Sequence, residues 1–585
     1  MRSIFSKNTN IAKGLELVCR EDGLIYKLSL KNNSSVPLPV GDLTVLAAKM
    51  PFSKTTPVYG EGYNMLSQYS GTVESVKLFA SFSDYDHYKL PKPQGKNQVY
   101  NMAIFYPQSS DPLLVGFASC NRFNGWIRFN SEILELAING ENATVQPGEE
   151  IPLEEVFVEQ GEINKIIDDF GKAINKNHPR LEFNEVPTGW CSWLVYGPEV
   201  TAQNIYDNLD AIKKHCLDLK YIQIDDGYQA KWGDWFDFTD KFEGGVKKVC
   251  LDIKAKGFEP AIWVAPFVAE KTSRLFTEHP DWFVKDDTGS PLSSGDVSFG
   301  GWRCDPWYIL DLTHPCARDY VKNVFRTMRN EWKITYFKLD AIVWAALPFG
   351  HRYDDNKTSV EAFRMGMDAI LEATGGDCYI LGGNSAMWPA IGKVHGMRVT
   401  NDNVRSWAQF TQLARECFPR NWQHNRLWIN DPDTVLLQNR IAKVMGPNGE
   451  EAKELESVTN NEFAFNAAYT MASGGMVLSS DDISTLTDKN VALLKKLLPP
   501  TNVAAQFDDN TYTVGKARLD ENTTLVYIFN FEDNTREIEV EIGDFASVLD
   551  LFEDEIIDTC RGKIKFEAFP KRYAKVLVCK KGLTY

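Results

Sequence analysis

Several signatures of common protein chemistry are missing from this sequence. Its eight histidines are scattered and form neither an HxH nor an HExxH pattern, and its eleven cysteines occur singly, without a CxxC pair. Single cysteines in an odd total are typical of reduced thiols in a reducing compartment and disfavour a disulfide framework. The same scatter disfavours a histidine or cysteine metal site, so we expect no bound metal.

Long hydrophobic runs are missing as well. No apolar stretch approaches the roughly 20 residues of a membrane-spanning helix, and residues 1–10 lack the apolar core of a secretory signal peptide. Cations are outnumbered, since 63 Lys and Arg against 79 Asp and Glu give a formal net charge of −16. Nucleic acids and anionic membrane surfaces repel an acidic protein, so we expect neither as a partner. These features favour a cytoplasmic protein with a neutral substrate.

The composition is otherwise that of a globular protein with several domains. The chain has 585 residues, of which 43% are hydrophobic and 24% charged. Domains average roughly 150 residues, which allows three or four here, or fewer if one is a large barrel. Aromatic residues make up 12% of the chain. Flat aromatic faces are common platforms for sugar rings, although we expect most of these side chains in the core.

The two ends of the chain have the pattern of antiparallel β structure. Up to about residue 178, short alternating apolar runs such as 23–30 and 133–138 are cut by Asn, Gly, Pro and Ser, which is typical of a β-sandwich. A helical repeat at 163–174 follows them. We predict three domains, namely an N-terminal antiparallel β-sandwich at 1–178, a central barrel at 179–498 and a C-terminal antiparallel β domain at 499–585.

Between these ends, a buried strand, a polar strand end and a helix recur eight times. Helices are predicted between the strands, for example one with Thr201 as its N-cap and another that begins near Ser359. Eight βα units predict a (β/α)8 TIM barrel. The stretch between the third and fourth strands is longer than one helix needs, so we expect a functional loop across the top face. The predicted strands are 188–193, 221–226, 260–266, 336–340, 379–383, 396–402, 427–431 and 475–480.

The fourth predicted strand, residues 336–340, has the most informative residue order. Side chains alternate along a strand, so Tyr336, Lys338 and Asp340 share one face. Phe337 and Leu339 share the other. An ammonium and a carboxylate therefore point together into the barrel. We expect the cationic Lys338 to favour the carboxylate form of Asp340.

Carboxylates and tryptophans dominate the carboxyl ends of the predicted strands, where barrels of this kind have their active sites. A single Asp after a strand is more often a turn former or a helix cap. Acids at four or more strand ends, accompanied by Trp and Lys, favour a functional site. The strand-end residues are Trp193, Asp225, Asp226, Trp263, Lys338, Asp340, Asn384, Arg398, Asp402, Asp431, Asp433, Asp481 and Asp482.

Two kinds of chemistry use such a ring of acids. A divalent-metal hydrolase would need clustered histidine or carboxylate ligands, which the histidine pattern disfavours. Glycoside hydrolysis needs one ionised and one protonated carboxyl group, together with hydroxyl-binding groups and an aromatic wall. The strand ends offer all of these, so we favour a glycosidase.

Seven motifs follow one another along the predicted barrel. They are Gly189-Trp-Cys-Ser-Trp193, Ile224-Asp-Asp-Gly-Tyr-Gln229 with Gly233-Asp-Trp235, Trp263-Val-Ala-Pro-Phe267, Leu312-Thr-His-Pro315, Phe337-Lys-Leu-Asp340, Gly396-Met-Arg398 before Asp402, and Asn430-Asp-Pro-Asp433. In this order they resemble the family 36 glycoside hydrolases, which are retaining α-galactosidases related to the plant raffinose and stachyose synthases. The flanking β regions agree with the architecture of that family.

The resemblance implies a retaining, exo-acting α-galactosidase with Asp340 as the nucleophile and Asp402 as the acid/base. It implies a small oligosaccharide as substrate and no cofactor, and because several family members form oligomers it leaves a homo-oligomer open. Asp431 and Asp433 would brace the loop after the seventh strand. The substrate-binding residues that it implies are Trp193, Asp225, Asp226, Trp263 as a pocket wall, Lys338, Asn384 and Arg398.

The chain departs from the family pattern at two places beside this site. It has Gly382-Gly-Asn-Ser-Ala386 where the family typically shows a Gly-Cys-Gly-Ala-Pro-like loop, and Ala341 where an aromatic residue often follows the nucleophile. Smaller side chains there indicate room for a 2-substituent such as N-acetyl, or a changed aglycone pocket. Three alternatives are an α-N-acetylgalactosaminidase, an α-galactosyl transglycosylase and a non-catalytic carbohydrate-binding protein.

Overall fold

The computed structural model shows a multidomain chain in which a parallel barrel is accompanied by antiparallel sheets. The predicted domain boundaries at 178/179 and 498/499 fall between elements and stay predictions. Each cysteine in the described part of the chain is a free thiol. The structure describes residues 5–8, 11–439, 457–543, 545–557 and 562–581.

Strands between residues 6 and 160 are hydrogen-bonded into one antiparallel network. Ile25–Asn32 alternates between buried and more exposed positions, as expected when one face of a sheet covers a core. The predicted antiparallel β structure is confirmed, whereas its arrangement as a sandwich stays a prediction. The strands are Ser6–Lys7, Leu15–Asp22, Ile25–Asn32, Leu38–Lys49, Pro57–Glu61, Gln68–Thr72, Val76–Leu78, Asn97–Phe105, Leu113–Phe117, Asn124–Phe129, Ile133–Val145, Glu150–Pro152 and Val156–Gln160.

Two helices accompany these strands. Ile163–Asn177 is the predicted helix, and the Glu162 side chain caps its first backbone N–H groups. The five-residue helix Asp84–Tyr88 was not predicted, because one turn is too short to show an apolar period. The Ser83 hydroxyl caps its first turn.

Eight parallel strands form the barrel, and all eight coincide with predicted strands. Each is shorter than predicted. Ala341 and Asn384 lie two residues beyond the ends of the fourth and fifth strands, and both have left-handed backbone, with φ of 52° and 43°. Met476 N–H donates to Asn430 O at 2.9 Å between the outermost strands, so the barrel is nearly closed. The strands are β1 (Thr188–Cys191), β2 (Tyr221–Ile224), β3 (Glu259–Val264), β4 (Tyr336–Leu339), β5 (Tyr379–Gly382), β6 (Gly396–Arg398), β7 (Ile429–Asp431) and β8 (Val477–Ser479).

Strand β4 has the alternation that its sequence predicts. The Tyr336 ring lies inside the barrel between the rings of Tyr221 and Tyr379, at centroid distances of 5.5 and 5.2 Å. Phe337 faces outward, and its ring packs 5.0 Å from that of Phe325 on the preceding helix, Pro315–Glu331. This buried ring of tyrosines fills the lower barrel and leaves Lys338 and Asp340 at the upper, carboxyl end.

Helices surround the barrel. The two whose starts were predicted begin with capping boxes at Thr201 and Thr358, close to the predicted positions. The long stretch between β3 and β4 contains the predicted excursion, with the strands Val268–Glu270 and Trp307–Ile309 paired as a hairpin. Within the described ranges, no helix combines the length and apolar character needed to cross a membrane. The helices are Trp193–Tyr196, Ala202–His215, Val246–Ala255, Arg274–Glu278, Ser294–Val297, Pro315–Glu331, Ser359–Thr374, Trp407–Cys417, Asn460–Ala472 and Asp488–Lys496.

Antiparallel strands return after the barrel, as predicted. Thr523–Asn530 pairs with Tyr573–Lys580 along its whole length. These strands dock on the barrel through its last helices, since Ala505 N–H donates to Ala472 O at 2.8 Å. The strands are Gln506–Phe507, Val514–Arg518, Thr523–Asn530, Arg536–Glu541, Ser547–Asp550, Glu555–Ile556, Lys563–Phe569 and Tyr573–Lys580.

Candidate active site

A cavity of about 790 Å³ opens at the carboxyl ends of the barrel strands. The structure brings the predicted catalytic and substrate-binding residues to its wall, although the role of each stays a prediction. The other strand-end acids, Asp431, Asp433, Asp481 and Asp482, do not line it, and Asp481 is instead paired with Arg405. The excursion between β3 and β4 and part of the N-terminal region complete the wall. The predicted residues that line it are Trp193, Asp225, Asp226, Trp263, Lys338, Asp340, Asn384, Arg398 and Asp402.

Asp340 follows β4 and has one N–H donor on each carboxylate oxygen. Trp263 Nε1 donates to Oδ2 at 2.9 Å, and the Ala341 backbone N–H donates to Oδ1 at 2.7 Å. An ionised carboxylate can only accept hydrogen bonds, so these two N–H donors fit the ionised form and fix its orientation.

The pKa of Asp340 lies above its ordinary value. Burial is the main cause and the negative charge of Asp402 adds to it, while Lys338 and the two N–H donors oppose both. The prediction that the charge of Lys338 favours the carboxylate form of Asp340 is confirmed. Removal of water from around the carboxylate has the larger effect, so the pKa is raised overall.

Lys338 forms its ion pair with Asp225, not with Asp340. Lys338 Nζ lies 2.9 Å from Asp225 Oδ2, and both side chains are buried. Gln223 Nε2 donates to the same oxygen at 2.6 Å. Burial lowers the pKa of Lys338, but attraction to Asp225 outweighs it and the pKa lies above the ordinary value. The ammonium is thus held between β2 and β4 as a fixed cation in the floor of the cavity.

Asp226 is bound by an arginine that was not predicted. Arg303, in the excursion before Trp307–Ile309, donates from Nε to Asp226 Oδ2 at 2.9 Å and from Nη2 to Oδ1 at 2.6 Å. Gln229 Nε2 donates to Oδ1 at 2.5 Å. A planar guanidinium fits a carboxylate in this two-point manner and fixes its orientation. Arg303 stands in no regular spacing with the strand ends, so the sequence pattern did not indicate it.

Arg398 connects Asp402 with Asp433. Its Nη2 lies 2.7 Å from Asp402 Oδ1 and 2.7 Å from Asp433 Oδ2. The Asp402 side chain is 56% exposed, whereas that of Asp433 is 9% exposed. Burial raises the pKa of Asp433 above its ordinary value, against the attraction of Arg398. Asp431 Oδ1 accepts the Asp433 backbone N–H at 3.0 Å, which supports the predicted bracing role of these two acids.

Trp263 differs from the pocket wall that the resemblance implies. The residue is almost fully buried, and its ring packs against those of Trp232 and Trp235 at 5.0 and 6.0 Å. Its indole N–H, rather than an open ring face, contacts Asp340. Trp263 therefore orients a carboxylate, and little of its surface is left for a sugar.

The N-terminal region supplies part of the site, which sequence reasoning missed. Met65 lines the cavity, and its backbone N–H donates to Ser385 O at 3.1 Å. The Tyr88 hydroxyl donates to Asn384 Oδ1 at 2.6 Å and so orients the amide. A bond between residues 296 positions apart has no signature in local sequence.

Aromatic rings from two regions meet at the rim of the cavity. The His87 ring stacks between those of Phe82 and Phe299, at 4.4 and 3.8 Å. Burial lowers the pKa of His87 to about 4, so this ring is neutral near pH 7. In the ranges described, no group of three or more His, Cys, Asp or Glu side chains is arranged to hold a metal ion.

Comparison with known proteins gives relatives that are named glycosidases, among them several α-galactosidases and an α-D-galactosamine galactosaminidase of Flavonifractor plautii. The melibiase family model matches residues 156–374. An α-galactosidase of Escherichia coli is 33% identical over 131 residues, which are 21% of this chain and 17% of that protein. The α-galactosidase Mel36A of Lactobacillus acidophilus is 23% identical over 294 residues, 48% of this chain and 37% of that protein. These alignments thus cover well under half of the curated relatives' own length.

The fold agrees with this relationship. The GH36 α-galactosidase AgaA of Geobacillus stearothermophilus superposes with a TM-score of 0.64 at 13% identity, over 97% of this chain and 81% of that chain. At this identity the likeness establishes the fold alone. Together with the matched segment, it shows that residues 156–374 are similar to the melibiase family and that the chain shares the fold of the GH36 α-galactosidase AgaA.

Proposed function

We propose that this chain is a retaining, exo-acting α-galactosidase that releases terminal α-galactosyl residues from small oligosaccharides. One observation carries the proposal: Asp340 and Asp402 line the same cavity as a buried set of hydroxyl-binding groups. Asp225, paired with Lys338, and Asp226, paired with Arg303, supply fixed acceptors for sugar hydroxyls. Relatives named α-galactosidases support the choice of sugar.

In the proposed first step, an Asp340 oxygen attacks the anomeric carbon while the bond from that carbon to the leaving oxygen breaks. Asp402 gives its proton to the leaving oxygen. In the second step, water attacks the same carbon, its proton passes to Asp402, and the bond to Asp340 breaks. Two inversions give net retention. The half-exposed position of Asp402 suits a group that exchanges protons with solvent, and the two N–H donors suit a fixed nucleophile.

The first test is substrate and product analysis. We expect hydrolysis of p-nitrophenyl α-galactoside in preference to the N-acetylgalactosaminide and the glucoside, with α-galactose as the first product by NMR. Inverted product would reject the double displacement. Release of a new disaccharide in place of galactose, at high acceptor concentration, would assign a transglycosylase instead.

Asp340→Asn and Asp402→Asn test the two roles. We expect Asp340→Asn to reduce kcat with every galactoside by at least about 10³-fold, because no covalent intermediate forms. Asp402→Asn should reduce kcat roughly 10²–10⁴-fold with raffinose. The reduction should be smaller with p-nitrophenyl α-galactoside, because its leaving group, p-nitrophenolate, needs no proton. Asp210→Asn, which removes a surface carboxylate paired with Lys256, is the control. An Asp340→Asn protein with wild-type turnover would remove the nucleophile assignment.

A further inference from the structure

A second cavity, of about 810 Å³, lies where the N-terminal strands, the barrel and the C-terminal strands meet. We call it the junction cleft. Tyr59 and Tyr106 come from the N-terminal strands, Trp422 from the barrel, and Phe507 and Tyr512 from the C-terminal region. The residues that line it do not line the catalytic cavity. Its volume is in the range of small-molecule sites, which often lie at domain interfaces.

Aromatic rings dominate the junction cleft and keep part of their surface open. Each of the five rings named above is only partly buried. Phe507 is held by stacking on Phe418, with ring centroids 4.2 Å apart, and Tyr512 lies 5.5 Å from Phe507 in an edge contact. Packed rings with one open side offer rigid flat surfaces at little entropic cost. The C–H face of a pyranose ring packs well on such surfaces.

The polar groups of the junction cleft are mainly neutral amides. Asn425 and Asn502 line it, and Asn425 Nδ2 donates to Asn502 O at 3.0 Å. Four charged residues also line the cleft. Arg426 Nε lies 2.7 Å from Asp168 Oδ1, Arg415 lies over the Phe531 ring at 5.0 Å, and Asp509 and the exposed Asp508 are the two carboxylates. Amides beside aromatic faces match a neutral, hydroxyl-rich ligand better than an ion or a purely apolar one.

Tyr512 is held in an unusual conformation at the edge of this cleft. Its φ is 54°, in the left-handed region that a bulky aromatic residue rarely adopts. Asp509, at the start of the same turn, fixes the chain by accepting the Thr511 N–H at 2.8 Å. Backbone strain of this kind is concentrated at functional sites, because packing must compensate for it.

We propose that the junction cleft is a second binding site for a neutral oligosaccharide, separate from the catalytic cavity. Open aromatic faces and neighbouring amide groups together carry the assignment. The choice of an α-galactosyl oligosaccharide as its ligand rests on the proposed function. Such a site holds substrate on the enzyme without taking part in bond cleavage.

Calorimetric titration with raffinose tests the proposal. The titrated protein carries Asp340→Asn, so that raffinose is bound but not consumed, and we expect two raffinose molecules per chain. Adding Tyr512→Ala, or separately Ser70→Trp to fill the cleft from its N-terminal wall, should reduce the number to one. Adding Tyr353→Ala, which removes a tyrosine that is 66% exposed and lines neither cavity, should leave two.

The proposal is overturned if the Asp340→Asn protein binds one raffinose and neither cleft variant changes that number. It is also overturned if the protein binds two raffinose molecules and both cleft variants still bind two. Circular dichroism of each variant identifies a failure to fold, and the two variants alter different walls of the cleft. Hydrolysis of p-nitrophenyl α-galactoside by the protein with Asp340 intact reports on the proposed function separately. If two raffinose molecules bind but the intact protein does not hydrolyse the galactoside, only the proposed catalytic function is rejected. If the galactoside is hydrolysed but no raffinose binds in the junction cleft, only the second binding site is rejected.

Discussion

At the scale of single residues, Asp340 and its two N–H donors determine how the proposed nucleophile behaves. Burial raises the pKa of this carboxyl, while the Trp263 and Ala341 N–H groups and Lys338 lower it. The ionised form, which is needed for attack, is therefore lost at a higher pH than for an ordinary aspartate. The acid limb of the pH profile should report this balance.

Trp263→Phe should shift that acid limb to higher pH. The substitution keeps a buried ring but removes the Nε1–H that donates to Asp340 Oδ2 at 2.9 Å. A hydrogen bond to a charged group contributes about 1.5–3 kcal/mol, so we expect kcat/KM to fall roughly tenfold or more. The pH dependence of kcat/KM with p-nitrophenyl α-galactoside measures both effects.

Trp235→Phe is the matched control, because it removes the same N–H from a buried ring 6.0 Å away. It should leave the acid limb in place. Equal shifts in both variants would show that loss of packing, and not the hydrogen bond, causes the change.

Residue order alone predicted which side chains of β4 face inward, but not their partners. Alternation depends only on the strand itself, so Lys338 and Asp340 were expected on one face. The partner of Lys338 is Asp225 on another strand, and the donor to Asp340 is Trp263 on a third. Parallel neighbours are set by barrel register, which no local pattern encodes.

At the scale of elements, the excursion between β3 and β4 reaches the site through Arg303. Its two hydrogen bonds to Asp226 connect a loop to the carboxyl end of β2. The existence of the excursion followed from its length, because one crossover helix needs fewer residues. Which of its residues would enter the cavity depends on the path of the loop, and the sequence does not show that path.

Arg303→Ala should raise KM for galactosides roughly tenfold, with a smaller change in kcat. Without the guanidinium, Asp226 loses the two hydrogen bonds that orient it toward a sugar hydroxyl. A hydrogen bond to a charged group contributes about 1.5–3 kcal/mol. Steady-state kinetics with raffinose measure the split between KM and kcat.

Arg274→Ala is the control for that substitution. Arg274 lies in the same excursion and pairs with Asp237, with both side chains largely exposed. An exposed pair contributes little, so its loss should not affect KM. A larger effect at Arg274 than at Arg303 would contradict the role assigned to the loop.

At the scale of the whole molecule, a buried ion pair joins the N-terminal strands to the barrel. Arg420 Nη2 lies 2.8 Å from Glu61 Oε2, and both side chains are fully buried. Arg420 also donates to the backbone oxygens of Met65 and Ser67, and so holds the segment that lines the catalytic cavity.

Glu61→Gln should destabilise the protein by about 3–5 kcal/mol, because it leaves the guanidinium buried without its anion. Differential scanning calorimetry should show a lower Tm. The control is Glu74→Gln, which breaks a pair with Lys54 whose side chains are 59% and 62% exposed, and should change stability by about 1 kcal/mol or less. Equal losses of Tm in the two variants would contradict a special role for the buried pair.

The Asn384 backbone N–H donates to Met65 Sδ at 3.1 Å, and this contact has a consequence for the order of folding. The two residues are 319 positions apart, so the pocket is unfinished until the first part of the chain and the fifth barrel strand have both folded and met. Contacts of such long sequence separation form late, because loop closure is costly before they add stability. In a refolding experiment we therefore expect barrel tryptophan fluorescence to recover first and enzymatic turnover last. The time course of turnover would then report when the N-terminal region packs against the barrel.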